Sequence, residues 1–216
     1  MHNGVCMRIL LTGDSITDMG RNREQDFSAF SYGNTYPFLL QAKLGTEFPK
    51  KHEIINRGIS GNRVVDLYAR IKVDCWNLKP DLISILIGIN DIWHEIGSQN
   101  GVELKRFEKV YRMLIEDTLT ALSNVKFILI EPFVLHGVAT DANFEEFNKI
   151  RETAKVVRKI AKDYGCLSLS LQDKFDELAK KYGDDYILYD GVHPSVVGAN
   201  VIAEEWYKLF KKNFEK

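Results

Sequence analysis

Leu10–Arg23, LLTGDSITDMGRNR, starts as a strand buried on both faces and then turns polar at a single Gly-Asp-Ser triplet. Four more short apolar runs follow it: EIIN (53–56), LISILIG (82–88), KFILIE (126–131) and CLSLS (166–170), the first run itself being RILLTG (8–13). Most are apolar throughout and do not alternate, the pattern of strands covered on both sides. Stretches of helical period separate them. Val64, Leu67, Tyr68, Ile71, Cys75 and Trp76 recur mainly at spacings of three and four, as do Phe107, Val110, Tyr111, Leu114, Ile115, Leu119 and Leu122. Phe144, Phe147, Ile150, Ala154, Val157 and Ile160 continue the pattern as one predicted helix, with Gly165 placed to close it. A last helix is expected over 196–213. Strand and helix in alternation predict an α/β fold with a parallel sheet inside and helices crossing over both faces.

Composition bounds the rest. A chain of 216 residues can bury about 70% of its unfolded surface without metal or disulfide staples. The net charge of −1, with both signs interspersed, leaves no basic footprint for nucleic acid or an anionic membrane. Cys6, Cys75 and Cys166 form no Cys-x-x-Cys pair and read as small core residues. MHNGVCMRIL lacks the signature of a signal peptide, and the longest apolar run is far too short to span a bilayer. The expectation is a cytoplasmic protein. Without repeats or a Pro-, Gly- or Ser-rich linker, residues 1–216 read as one domain.

In an open parallel sheet, ligands bind beyond the carboxyl ends of the strands, where loops converge. Those ends carry Gly13-Asp14-Ser15, then Gly58-Ile59-Ser60-Gly61-Asn62, then Gly88-Ile89-Asn90-Asp91. Late in the chain LYDGVHPSVVG (188–198) sets Asp190 three residues before His193, with Pro194 suited to the first turn of the final helix. A serine attacks only when a base takes its proton, and the base needs a third group to hold its tautomer. Ser15, His193 and Asp190 supply those three types. An oxyanion requires donors aimed at it in advance, for which the Ser15 and Gly61 N–H groups and the Asn90 amide are available. Asn62 is expected to cap the helix that follows Gly61. Asp14 and Asp91 stay outside the catalytic set, because carboxylates beside a nucleophile more often tie loops together.

These four blocks, in order from Arg8 to about Gly198, resemble the SGNH, or GDSL, hydrolases. The resemblance implies a three-layer α/β/α fold with a five-stranded, flavodoxin-like parallel sheet. It implies a serine esterase with catalytic Ser15, Asp190 and His193, an oxyanion hole of Ser15, Gly61 and Asn90, and neither cofactor nor metal. The longer strings GDSITDMGR, NRGISGN, GINDIW and DGVHPS are most similar to the acetylxylan-esterase-like carbohydrate esterases, which points to small acyl groups, acetyl above all, on sugars. Trp93 and Arg21 are the substrate-binding candidates, Trp93 as an apolar wall and Arg21 from the long polar segment 18–34. A lipase, lysophospholipase or thioesterase of the same family is the alternative acyl hydrolase. A divalent-metal phosphoesterase built on Asp14, Asp91, Asp190 and His193 has no compact ligand pair behind it, and a non-catalytic nucleotide- or flavin-binding module lacks a glycine-rich phosphate cradle. The remaining histidines, His2, His52, His94 and His136, read as surface or structural. A homo-oligomer is compatible with the sequence, with Trp76, Trp206 and Phe214 as interface candidates if they cluster at the surface.

Overall fold

A computed structural model describes residues 7–25 and 27–215; the readings of His2 and Cys6 lie outside them. Five strands, β1 (Met7–Gly13), β2 (His52–Asn56), β3 (Leu82–Leu86), β4 (Lys126–Ile130) and β5 (Leu167–Leu169), form one parallel sheet in the order β2-β1-β3-β4-β5. All five expected strands are present. Ten α-helices connect them among the described residues: α1 (Ser15–Asp18), α2 (Tyr36–Glu47), α3 (Val64–Asp74), α4 (Ile89–Ser98), α5 (Leu104–Ala121), α6 (Phe144–Phe147), α7 (Ile150–Asp163), α8 (Gln172–Tyr182), α9 (Asp184–Ile187) and α10 (Val196–Phe214).

Alternation along each strand divides the core in two. Ile9, Leu11, Leu82, Leu86, Ile128 and Ile130 face one side, where α2, α8 and α10 contribute Tyr36, Leu40, Phe175, Ile202, Trp206 and Phe210. Leu10, Ile83, Ile85, Phe127 and Leu129 face the other, against Val64 and Leu67 of α3, Phe107, Tyr111 and Leu114 of α5, and Val157 and Ile160 of α7. Helices therefore cover both faces. The three-layer, flavodoxin-like arrangement matches the expected fold class, and its strands are apolar because neither side meets water. Ser84 is the polar exception in β3; fully buried, it accepts a hydrogen bond from Trp206 Nε1 at 2.9 Å.

Three local expectations are corrected. The helix expected through Phe144–Ile160 breaks into α6 and α7, because a tight turn at Asn148–Lys149 lets Phe147 reach Trp93 while Ile150 stays in the core. Its end is as expected: Gly165, at φ +65°, carries the Gly165 N–H to Lys162 O and the Cys166 N–H to Ala161 O, a Schellman closure. Helix α3 stops at Asp74, and Trp76 sits in a separate 3₁₀ turn, its Nε1 on Thr118 Oγ1 at 3.0 Å. Pro194 does not enter α10; the N-cap is Ser195, whose Oγ accepts from Gly198 N, and Pro194 pairs in a β-bridge with Leu188.

The proposed interface aromatics do not cluster at the surface. Trp206 is fully buried, Phe214 stacks on Phe210, and Trp76 is spent on Thr118. Cys75 is buried and Cys166 half-buried, both as free thiols. Among the described residues no helix is long and apolar enough to cross a membrane.

Candidate active site

The order of strand addition reverses at β1, with β2 on one flank and β3 on the other, so the loops after β1, β2 and β3 converge beyond their carboxyl ends. Ser15 is the first residue of α1. Asp14 caps that turn, its Oδ1 accepting from Ile16 N at 3.0 Å, and so aims the Ser15 hydroxyl outward while leaving the Ser15 N–H without an intrahelical acceptor. Ser15 Oγ lies 2.8 Å from His193 Nε2, across 178 residues of sequence. His193 Nδ1 lies 2.7 Å from Asp190 Oδ2. The other Asp190 oxygen accepts from Val192 N and His193 N at 2.9 and 2.7 Å, locking carboxylate and imidazole into one short loop. Burial would raise the Asp190 pKa, but the hydrogen bonds from the His193 ring and from the His193 and Val192 backbone hold it below the usual carboxylate value. Gly191 is required here: at φ +96°, an added Cβ would meet Thr140 Oγ1 at 2.4 Å.

The two other predicted donors follow β3 and β2, the strands flanking β1. Asn90 stands in the first turn of α4, 6% exposed, with Nδ2 donating one hydrogen bond to Asn62 O at 3.1 Å. An amide nitrogen carries two hydrogens, so one remains for a ligand. Gly61 has φ +82° and open space where a Cβ would project. Asn62 is not the cap expected of it. Its Oδ1 accepts from Arg70 Nε, and the start of α3 is held by Asp66, which accepts from Arg63 N, and by Asp91, which accepts from Val64 N with both oxygens. Asp91 thus caps α3 from the first turn of α4, the tying role expected of it. Burial drives its pKa well above normal, and burial likewise lifts Asp14 to about 7, against the lowering effect of the Ile16 N–H and His193.

Trp93 lies beside the centre: its ring centroid is 6.0 Å from His193 and 5.6 Å from Phe147. Arg21 turns inward instead. Its side chain is 3% exposed and its Nε donates to Gly58 O at 2.9 Å, so it braces the loop after β2. Tyr189 is a neighbour that sequence reasoning misses; its ring stacks on His193 at 5.8 Å, the other side remaining half exposed. Its one signal is adjacency to Asp190. His136 is paired with Asp141, and His52 is wedged between Phe48 and Phe210 beside Glu215; neither approaches Ser15 through any contact described. Among the described residues no three or more His, Cys, Asp or Glu side chains gather as a metal site.

A hydroxyl on an imidazole and the imidazole on a carboxylate can activate an oxygen nucleophile, and an oxyanion so formed needs N–H donors of the kind that follow β1, β2 and β3. Residues 11–201 match the GDSL-like lipase/acylhydrolase family. The chain belongs to that family. Its members' chemistry makes it a serine ester hydrolase. Within the family it is 32% identical to an acetylxylan esterase from Geobacillus stearothermophilus over 207 residues, 93% of this chain and 92% of the relative. The crystal structure of Axe2, an acetylxylan esterase from Geobacillus stearothermophilus, superposes with a TM-score of 0.85 over 96% of this chain and 95% of its own. Solved forms of Axe2 include catalytic mutants in which a serine, an aspartate or a histidine is replaced by alanine. A GDSL-like lipase candidate from Parabacteroides merdae gives a TM-score of 0.87 at 32% identity, covering 94% of this chain and 95% of that one.

Proposed function

We propose that the protein removes small acyl groups, acetyl in the first place, from carbohydrate esters through an acyl-enzyme on Ser15. The observation that carries the reading is the continuous hydrogen-bonded chain Ser15 Oγ, His193, Asp190, at 2.8 and 2.7 Å. His193 Nε2 takes the hydroxyl proton as Ser15 Oγ bonds to the ester carbonyl carbon, and Asp190 stabilises the resulting imidazolium. Negative charge gathers on the carbonyl oxygen, met by the N–H groups of Ser15 and Gly61 and the free Asn90 Nδ2 hydrogen. Collapse of the tetrahedral species breaks the bond to the sugar oxygen, which leaves with the proton from His193. Water then attacks the acyl-enzyme by the same route in reverse. Trp93 and Tyr189 flank the imidazole as apolar surfaces suited to a sugar face. The choice of acetylated sugar rests on the 32% identity to an acetylxylan esterase.

Purified protein is to be assayed on p-nitrophenyl esters of rising chain length beside acetylated xylo-oligosaccharides. Turnover should be highest on acetyl, should release acetate from the oligosaccharides, and should nearly vanish in Ser15→Ala. Undiminished turnover by Ser15→Ala removes the mechanism; a preference for long acyl chains removes the substrate and favours the lipase-like alternative.

A further inference from the structure

Ser60 and Gly61 occupy the middle of a four-residue turn, closed by the Asn62 N–H on Ile59 O at 3.1 Å. Gly61 has positive φ and Ser60 does not, the combination of a type II turn. Type I and type II turns differ chiefly in the central peptide, which rotates by roughly 150° between them. Here that peptide joins Ser60 to Gly61, and its hydrogen is the Gly61 N–H. Turn type therefore sets the direction in which this donor points.

One side chain holds Ser60. Asp18 Oδ2 accepts from the Ser60 N–H and from Ser60 Oγ, each at 2.8 Å, and from Arg23. The carboxylate is 3% exposed although Ser60 itself is exposed. Burial alone would raise its pKa; the bonds from Ser60 and Arg23 prevail and keep it below the normal value, hence ionised at neutral pH. Its other oxygen, Oδ1, has no hydrogen-bond partner and sits 4.0 Å from Arg21 Nε. The backbone around it has no slack: a Cβ on Gly58 would meet Asp18 N at 2.5 Å, and one on Gly33 would meet Asp18 O at 2.2 Å. Burying this carboxylate is costly, and the bonds that offset the cost run to Ser60 and Arg23, which ties the charge to the turn.

We infer that Asp18 is a positioning residue for ester hydrolysis: by clasping both polar hydrogens of Ser60 it selects the turn that directs the Gly61 N–H at the developing oxyanion. The inference rests on the acyl-enzyme reading above. Asp18 touches no substrate; it acts through Ser60 and Gly61. Loss of a donor aimed at the oxyanion is felt in the transition state and little in the bound substrate.

The test compares Asp18→Ala, Asp18→Asn and Ser60→Ala on p-nitrophenyl acetate, with thermal melts and with inhibition by phenylboronic acid. Boron accepts the Ser15 oxygen and becomes tetrahedral, the hydroxyl proton passing to His193, so a boron-bound oxygen samples the same donors. Asp18→Ala should lower kcat on the order of 10²-fold with KM near the wild-type value. Ser60→Ala should lower it about tenfold, and Asp18→Asn, which keeps an acceptor but not the charge, should fall between them. Boronate affinity should drop by the same factors as kcat/KM. Unchanged kcat in Asp18→Asn and Ser60→Ala overturns the inference even if Asp18→Ala does not fold, as does a loss of kcat with boronate affinity intact. Ser15→Ala separates the two failures: if it retains turnover, the acyl-enzyme reading falls; if it is dead while the Asp18 and Ser60 variants are fully active, only this inference falls.

Discussion

Asp14 is buried to 1% exposure, next to the proposed nucleophile, and one of its two oxygens finds no hydrogen-bond partner. Its folded pKa, about 7, stands above the usual 3.8. Between those values the folded protein keeps a proton that the unfolded chain has released, so stability falls as pH rises from about 4 to 7 and levels off above. A displacement of that size is worth about 4 kcal/mol. Asp14→Asn keeps the acceptor for Ile16 N and cannot ionise; its buried –NH2 lacks an acceptor, so the change in absolute stability is smaller, but the pH slope contributed by Asp14 must vanish. Urea melts at pH 4, 6 and 8 should show the variant gaining on the wild type as pH rises. Parallel slopes in the two proteins would mean that Asp14 carries no such burden. Residue chemistry of this kind is only partly legible in the sequence. The roles proposed for Ser15, His193 and Asp190 can be read from residue type, whereas those of Asp18 and Arg21 depend on partners, Ser60 and the Gly58 carbonyl, that only the fold supplies.

At the scale of elements, the strands are readable because a doubly covered sheet needs unbroken apolar runs, and Ile83 and Ile85 serve one core while Leu82 and Leu86 serve the other. Helix α4 is hidden although Ile89, Ile92, Trp93 and Ile96 recur at helical spacing, because Gly88-Ile89-Asn90-Asp91 reads as a strand-end loop. Helices α2, α8 and α9 are hidden as well; Gly45 interrupts the cues in α2, and α8 shows only a narrow stripe around Phe175 and Ala179. Ser84 in β3 has no explanation in the sequence, since its partner Trp206 lies 122 residues away on α10. That pair yields a prediction about how the last helix is seated. Ser84→Ala strands the indole N–H, and Trp206→Phe strands the hydroxyl; each should cost about 1–3 kcal/mol for the buried group left unpaired, the second more for its lost volume. In the double variant neither polar group remains, so it should be less destabilised than the sum of the singles. Chemical denaturation of the four proteins measures the coupling, and strict additivity would show that the hydrogen bond does not hold α10 to the sheet.

The whole molecule separates a chemical pole from a joining pole. Ser15, Gly61, Asn90 and His193 all follow carboxyl ends of strands or precede α10, whereas Met7 opens β1 in register with His52 and Glu215 Oε1 lies 2.8 Å from the His52 ring. The first and last described residues are therefore neighbours at the end of the sheet remote from Ser15. What makes the site is the placement of loops by the sheet, and no contact in the Ser15–His193–Asp190 chain depends on where the backbone is opened at the far pole. Joining Glu215 to Met7 through a short Gly/Ser linker and opening the chain between Ser123 and Asn124 tests this. Both of those residues are exposed, in the turn closed by Val125 N on Leu122 O just before β4. The permutant should fold, because the cut crosses no strand pairing and the linker spans residues already adjacent. Its kcat on p-nitrophenyl acetate should stay within about tenfold of the wild type, while its urea midpoint drops through the lost turn. A permutant that folds, with native near-ultraviolet circular dichroism, but has lost turnover would show that chain order, and not sheet-directed convergence of the loops, sets the distance from Ser15 to His193.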